Sequence, residues 1–244
     1  MSVSPIVIGL AAAVLAGFSR GFAAFGTALV YVPLMSAAFD VRTAVVTLFL
    51  VDLLPSAPYI YRASKETDYN TVFWMGASAV VFTPVGVLVL RLAPERMLML
   101  IVSCFLIAVT LFNLLVGSFT FRESRRNSVV AGGLSGLTGG AVGLYGPPAM
   151  IYLLGIYRNP LVARSTAFVF LSVESLILGA NYWVYKMYTA RDLRIAIALV
   201  IPYGVAMWVG TRVSTGLAAD LYRRIVICLL LALSIILLAR ASLS

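Results

Sequence analysis

Residues 132–148 read G-G-L-S-G-L-T-G-G-A-V-G-L-Y-G-P-P, with seven glycines and two closing prolines inside an otherwise strongly apolar chain. A helix that only faces lipid has no use for such a run. Glycine admits left-handed backbone and close approach, and proline removes a donor and interrupts the helix. Interrupted backbone at membrane depth is tolerated where it is buried in protein or lines a cavity. Broken helices of this kind build the substrate sites of many transporters.

The surrounding composition fits that setting. The 244 residues are 62% hydrophobic and 11% charged, with a mean hydropathy of +1.03. Soluble domains carry about 25% charged residues, so the sequence predicts an all-α polytopic membrane protein. Residues 1–5 lack a basic n-region and a cleavage site, and read as the start of a first membrane segment. The net charge of +9 falls mostly in short loops, where it reads as topology and headgroup contact rather than nucleic-acid binding. The chain has no histidine, so a His-based metal site or proton relay is excluded and any proton step falls to carboxylates. No cofactor and no metal are expected. Cys104 and Cys228 are isolated in apolar segments and read as packing residues.

Eight apolar segments are expected, at about 5–38, 43–61, 70–90, 97–118, 128–156, 165–185, 195–211 and 223–239. A span needs about 20 residues. Segments one and five are too long for one crossing, and both hold clustered Gly and Pro. Each is therefore a broken spanning helix or a re-entrant hairpin. The chain also repeats itself in order. Gly17-Phe18-Ser19 aligns with Gly136-Leu137-Thr138, and Arg42-Thr43-Ala44 with Arg164-Ser165-Thr166. Asp52 aligns with Glu174, Pro84-Val85-Gly86-Val87 with Pro202-Tyr203-Gly204-Val205, and Cys104 with Cys228, all at offsets of 118 to 124 residues. This predicts two homologous four-segment halves, 1–121 and 122–244, in one integral membrane domain. Counting Lys and Arg by side gives no bias for eight simple spans. It gives a modest excess opposite the N-terminus if segments one and five are re-entrant, which favours an inverted repeat.

Asp52 and Glu174 lie near mid-span, where an acid is costly and points to function. They are expected to serve proton coupling or a buried polar network, against a purely structural reading as acids hydrogen-bonded across helices. Arg20, beside Gly21, is a candidate anion ligand with a bidentate fork, or else a snorkelling residue or the partner of Asp52. Arg42 and Arg164 read as interfacial anchors or as a funnel for anions. Thr43, Ser165 and Thr166 follow them in the first turn, as caps or substrate ligands. Half-helix N-termini offer free N–H groups to anions, which brings in Gly139, Gly140, Gly143, Gly146 and Pro147, with hydroxyls from Thr27, Thr138 and Tyr145. The competing reading for Gly132, Gly136 and Gly140 is close helix packing, since small residues four apart form a face.

The motif S-G-L-T-G-G-A-V-G-L-Y-G-P-P-A at 135–149, its counterpart A-G-F-S-R-G-F-A-A-F-G-T-A-L-V-Y-V-P-L at 16–34 and the duplicated plan resemble the sulfite exporter TauE/SafE family. The resemblance covers nearly the whole chain. It implies a multi-pass permease of a bacterial or archaeal cytoplasmic membrane that moves sulfite or organosulfur anions. No G-x-x-x-x-G-K-[ST] is present, so ATP-driven transport by this polypeptide alone is not supported. The expected function is a secondary, alternating-access transporter of a small anion, with proton coupling through Asp52 or Glu174. An anion channel and a non-transporting membrane scaffold are the alternatives, and an enzyme is not expected. The expected partners are the anion and the lipid bilayer, with homo-oligomer assembly left open.

Overall fold

The computed structural model describes residues 5–23, 26–115 and 120–213. Segment 223–239 and Cys228 lie outside the described residues. The order is α1 (Pro5–Ala23), α2 (Thr27–Ala38), α3 (Val41–Ala63), a 3-10 turn (Ser64–Glu66), α4 (Tyr69–Leu92), α5 (Glu95–Leu115), α6 (Arg125–Val142), α7 (Gly146–Ile156), α8 (Pro160–Val184) and α9 (Ala190–Val213). Among the described residues there is no strand. Windows 5–22, 41–66, 69–92, 161–184 and 190–213 are long and apolar enough to cross a membrane. The chain is a polytopic all-helical membrane protein. Its surface carries large apolar side chains such as Phe73, Val81, Ile201, Val205 and Trp208, while Arg20, Asp52, Thr83 and Glu174 are buried. That is the reverse of a soluble protein and follows from lipid being the solvent.

Segments one and five are both helical hairpins. In the first, Gly26 adopts φ 92° between α1 and α2. Met35, near the end of α2, reaches back to Gly9, near the start of α1. In the second, Gly143 adopts φ 74°, a left-handed conformation that costs other residues about 1–2 kcal/mol. Its N–H caps α6 on the carbonyls of Gly139 and Thr138. The chain then reverses, so that the Ser128 and Tyr152 hydroxyls meet at 2.9 Å and the Phe121 N–H bonds the Gly155 carbonyl at 2.9 Å. The long apolar segments of the sequence are thus α1–α2 and α6–α7, each folded back on itself.

The helices form two compact units that cut across the halves expected from the sequence. The first contains α1, α2, the N-terminal part of α3, α5 and α9. The second contains the rest of α3, α4, α6, α7 and α8. In the first unit α1 packs on α9, and in the second α6 packs on α4. Glycines make both contacts close. A methyl group at Gly17 or Gly21 would strike the backbone carbonyls of Tyr203 and Met207, and one at Gly136 or Gly140 would meet Thr83. The small-residue face therefore serves helix packing, as it does in other membrane bundles. Gly21, expected at a substrate site, lies in the α1–α9 contact.

Candidate functional site

In the first unit the hairpin turn carries a buried ionic cluster. Arg20, in the last turn of α1, places a guanidinium nitrogen 3.3 Å from Asp52 Oδ2 on α3, and both side chains are at most 3% exposed. The Tyr203 hydroxyl on α9 donates to Asp52 Oδ1 at 2.5 Å. Thr27, the first residue of α2, neighbours that phenol. The glycine contact sets the depth of this arrangement, because α9 must approach α1 at Gly17 and Gly21 for Tyr203 to reach the carboxylate. Tyr203 lies inside the repeated Pro-x-Gly-Val motif, directly after Pro202.

The same fold delivers a different cluster in the second unit. The Thr83 hydroxyl on α4 donates to Glu174 Oε1 on α8 at 2.8 Å. Thr83 directly precedes Pro84 of the other motif copy. Gly139 leaves room for this pair, since a methyl there would sit 3.3 Å from Glu174 Oε1 and 2.7 Å from Tyr145 Cβ. Tyr182 feels both Tyr145 and Glu174, and its ring meets Tyr188 edge-on at 6.2 Å. Glu174 Oε2, Ser135 Oγ and Ser175 Oγ are buried without a hydrogen-bond partner. The second unit therefore holds an acid where the first holds an ion pair.

Other expected ligands have structural engagements. Thr43 binds Asp40 through its N–H at 2.7 Å and its hydroxyl at 2.8 Å, capping α3. Thr71 repeats this with Asp68 at the start of α4. Thr138 donates to the carbonyls of Leu134 at 2.9 Å and Leu144 at 3.0 Å, closing the second hairpin turn. The Thr166 hydroxyl accepts from the Asp68 N–H at 3.1 Å. Arg42 is exposed on one side of α3 and donates to the Ala93 carbonyl at 2.8 Å. Arg164 is exposed near the start of α8.

The glycine run differs from its expected electrostatics. Gly139 and Gly140 are in the last turn of α6, so their N–H groups belong to that helix and the end they mark is its carbonyl end. Donors can come only from α7, which starts at Gly146. Two of its first three residues are Pro147 and Pro148, which have no N–H. By contrast α2 begins Thr27-Ala28-Leu29, and its first backbone bond runs from the Val30 N–H to Gly26. Three N–H groups at the positive end of α2 thus precede its first internal bond, beside Arg20. The first hairpin, not the glycine-rich second one, has the better anion donors.

Residues 9–237 match the family model described as Sulfite exporter TauE/SafE. The chain belongs to that family. No curated protein and no solved structure matches it. The TauE/SafE assignment makes this a membrane transporter of the sulfite-exporter type. The sequence pattern does not single out Tyr203, Thr83, Asp40 or Asp68. The Pro-x-Gly-Val repeat was the available signal for the first two, since each hydroxyl adjoins its proline.

Proposed function

We propose that this TauE/SafE protein is a secondary permease of a bacterial or archaeal cytoplasmic membrane, moving a small sulfur oxyanion by alternating access. Sulfite or an organosulfonate is the substrate class. The reading is carried by the first hairpin turn, where three backbone donors at the N-terminus of α2 lie in sequence and space beside the Arg20–Asp52–Tyr203 cluster. An oxyanion suits such a place because backbone N–H groups and a planar guanidinium both match its oxygens. Thr27 adds a hydroxyl at the head of the same helix. The family supports a carrier, and the repeat expected from the sequence, 1–121 and 122–244, agrees with one, since internal repeats are the usual ground plan for alternating access.

The test is uptake of radiolabelled sulfite by proteoliposomes of the purified protein, with sulfonates as competitors. Saturable uptake, weakened at least tenfold by Arg20→Gln with the fold intact, is expected. Unsaturable flux accompanied by unitary currents would mean a channel instead, and no flux of any sulfur oxyanion would end the reading.

A further inference from the structure

The two buried acids stand at matching places in the repeat but in opposite electrostatic settings. Asp52 already has a guanidinium at 3.3 Å and a phenol at 2.5 Å, so its negative charge is balanced inside its own unit. Glu174 is 0% exposed, and among the described residues no Lys or Arg lies within ion-pair distance of it. It accepts one hydrogen bond, from Thr83, and its Oε2 has none. A buried carboxylate with one donor and no countercharge is expensive, several kcal/mol in practice. The smallest group that neutralises it is a proton, which would also turn Oε2 into a donor.

Among the described residues, the side chains around Glu174 bring no countercharge. The α4 helix presents Thr83, and α6 presents Gly139 with Ser135 one turn earlier on the same face. The titratable groups facing Glu174 are phenols: Tyr145 from the hairpin turn, Tyr182 on its own helix and Tyr188 behind Tyr182. In α7 the titratable side chain is Tyr152, which is engaged with Ser128 at the other end of the hairpin. In the 3-10 turn, Lys65 and Glu66 are exposed. Ser135 Oγ and Ser175 Oγ are buried hydroxyls without partners.

We propose that Glu174 is the coupling-proton site of this carrier, held in the second unit, while the Arg20–Asp52 pair of the first unit serves the anion. The labour is thus divided: one hairpin unit handles the anion and the other the proton. This rests on the transport reading above, so the experiment has an arm independent of transport.

Full-length protein in lipid nanodiscs is taken through a pH titration and followed by infrared difference spectroscopy. The wild type should show the carbonyl stretch of a protonated carboxylic acid that vanishes at high pH. Glu174→Gln should lose that band, and Asp52→Asn should keep it. In proteoliposomes, Glu174→Gln should lose accumulation driven by a pH gradient while downhill sulfite exchange stays within about twofold. Persistence of the band or of gradient-driven accumulation in Glu174→Gln overturns the proposal, as does accumulation that follows sodium and ignores pH. If the wild type moves no sulfite, the transport reading fails and the infrared arm still decides the proton site. Should Glu174→Gln fail to fold, Thr83→Val keeps the acid and removes its one donor. The midpoint of the band must then move, and an unmoved midpoint counts against Glu174.

Discussion

Replacing Gly140 by alanine tests whether the glycine run is a packing face. A Cβ at Gly140 would overlap the Thr83 carbonyl, and would also sit 2.7 Å from Val87 N and 2.9 Å from Gly86 C. All three neighbours are backbone, so no rotamer change relieves them. Carbon contacts are comfortable near 3.5–4.0 Å, so α4 and α6 must separate by about 1 Å. Overpacking of this kind costs about 1–3 kcal/mol, and the lost close contact over Gly132, Gly136 and Gly140 puts this site at the upper end. Alanine regains about 1 kcal/mol of helix propensity. The net loss should be about 1–2 kcal/mol, or roughly 2–8 °C in Tm for a chain of this size. Because Thr83 is the neighbour that must move, its bond to Glu174 is lost with it. Gly146→Ala is the control: nothing lies within 4 Å of the added methyl and φ is not positive, so Tm should hold or rise slightly. Thermal unfolding of both variants in one detergent gives the comparison. Equal Tm values for Gly140→Ala and wild type would refute the packing role.

Asp52→Asn should destabilise by about 3–5 kcal/mol by leaving the buried Arg20 without its carboxylate, whereas Tyr203→Phe, which removes one charge-assisted bond, should cost about 1.5–3 kcal/mol; denaturant midpoints would rank the two, and the reverse order would contradict the ion pair. Gly143→Ala forces an L residue to φ 74° and should cost about 1–2 kcal/mol, with Gly143→Asn milder, read by thermal unfolding. Asp68 is partly buried, which opposes its ionisation, but donors from Tyr157 at 2.5 Å and Thr71 outweigh that and hold its carboxyl below the ordinary value of 3.8. A lowered folded pKa means stability that is present above pH 3.8 and lost as pH falls below it. Wild-type Tm should therefore drop more steeply below that pH than Tyr157→Phe, and parallel curves would remove Asp68 from the account.

The sequence made the hairpins legible because their turns need residues that nothing else needs there. Gly26 and Gly143 adopt positive φ, and Pro147 and Pro148 open α7 where a missing N–H costs least. The two acids were legible for the same reason, since carboxylates at mid-span have no cheap place to go. Their partners were not. Tyr203 is 151 residues from Asp52 and Thr83 is 91 from Glu174, and no local pattern reports contacts of that range. Hydroxyls stay ambiguous in the sequence between cap and substrate ligand. Thr43 and Thr138 carry the same chemistry as a substrate ligand, yet the structure spends them on a helix cap and a turn. What separates these roles is the direction of one rotamer, which spacing does not encode. The run at Gly139 and Gly140 pointed to donors, but which end of a helix a break exposes depends on where the next helix starts.

The packing of α1 on α9 and of α4 on α6 has a consequence for biogenesis. The glycine groove of α1 leaves the ribosome early, and α9, which fills it, begins at Ala190. At 5–20 residues per second the groove waits roughly 10–30 s in the bilayer. In the second unit α4 precedes α6 by a short loop and α5 alone, so that pair can close within seconds. The Glu174 unit is therefore assembled while the Arg20 unit still lacks a wall. During that interval the Asp52 carboxylate lacks the Tyr203 hydroxyl that α9 brings, and lipid stands in for that helix.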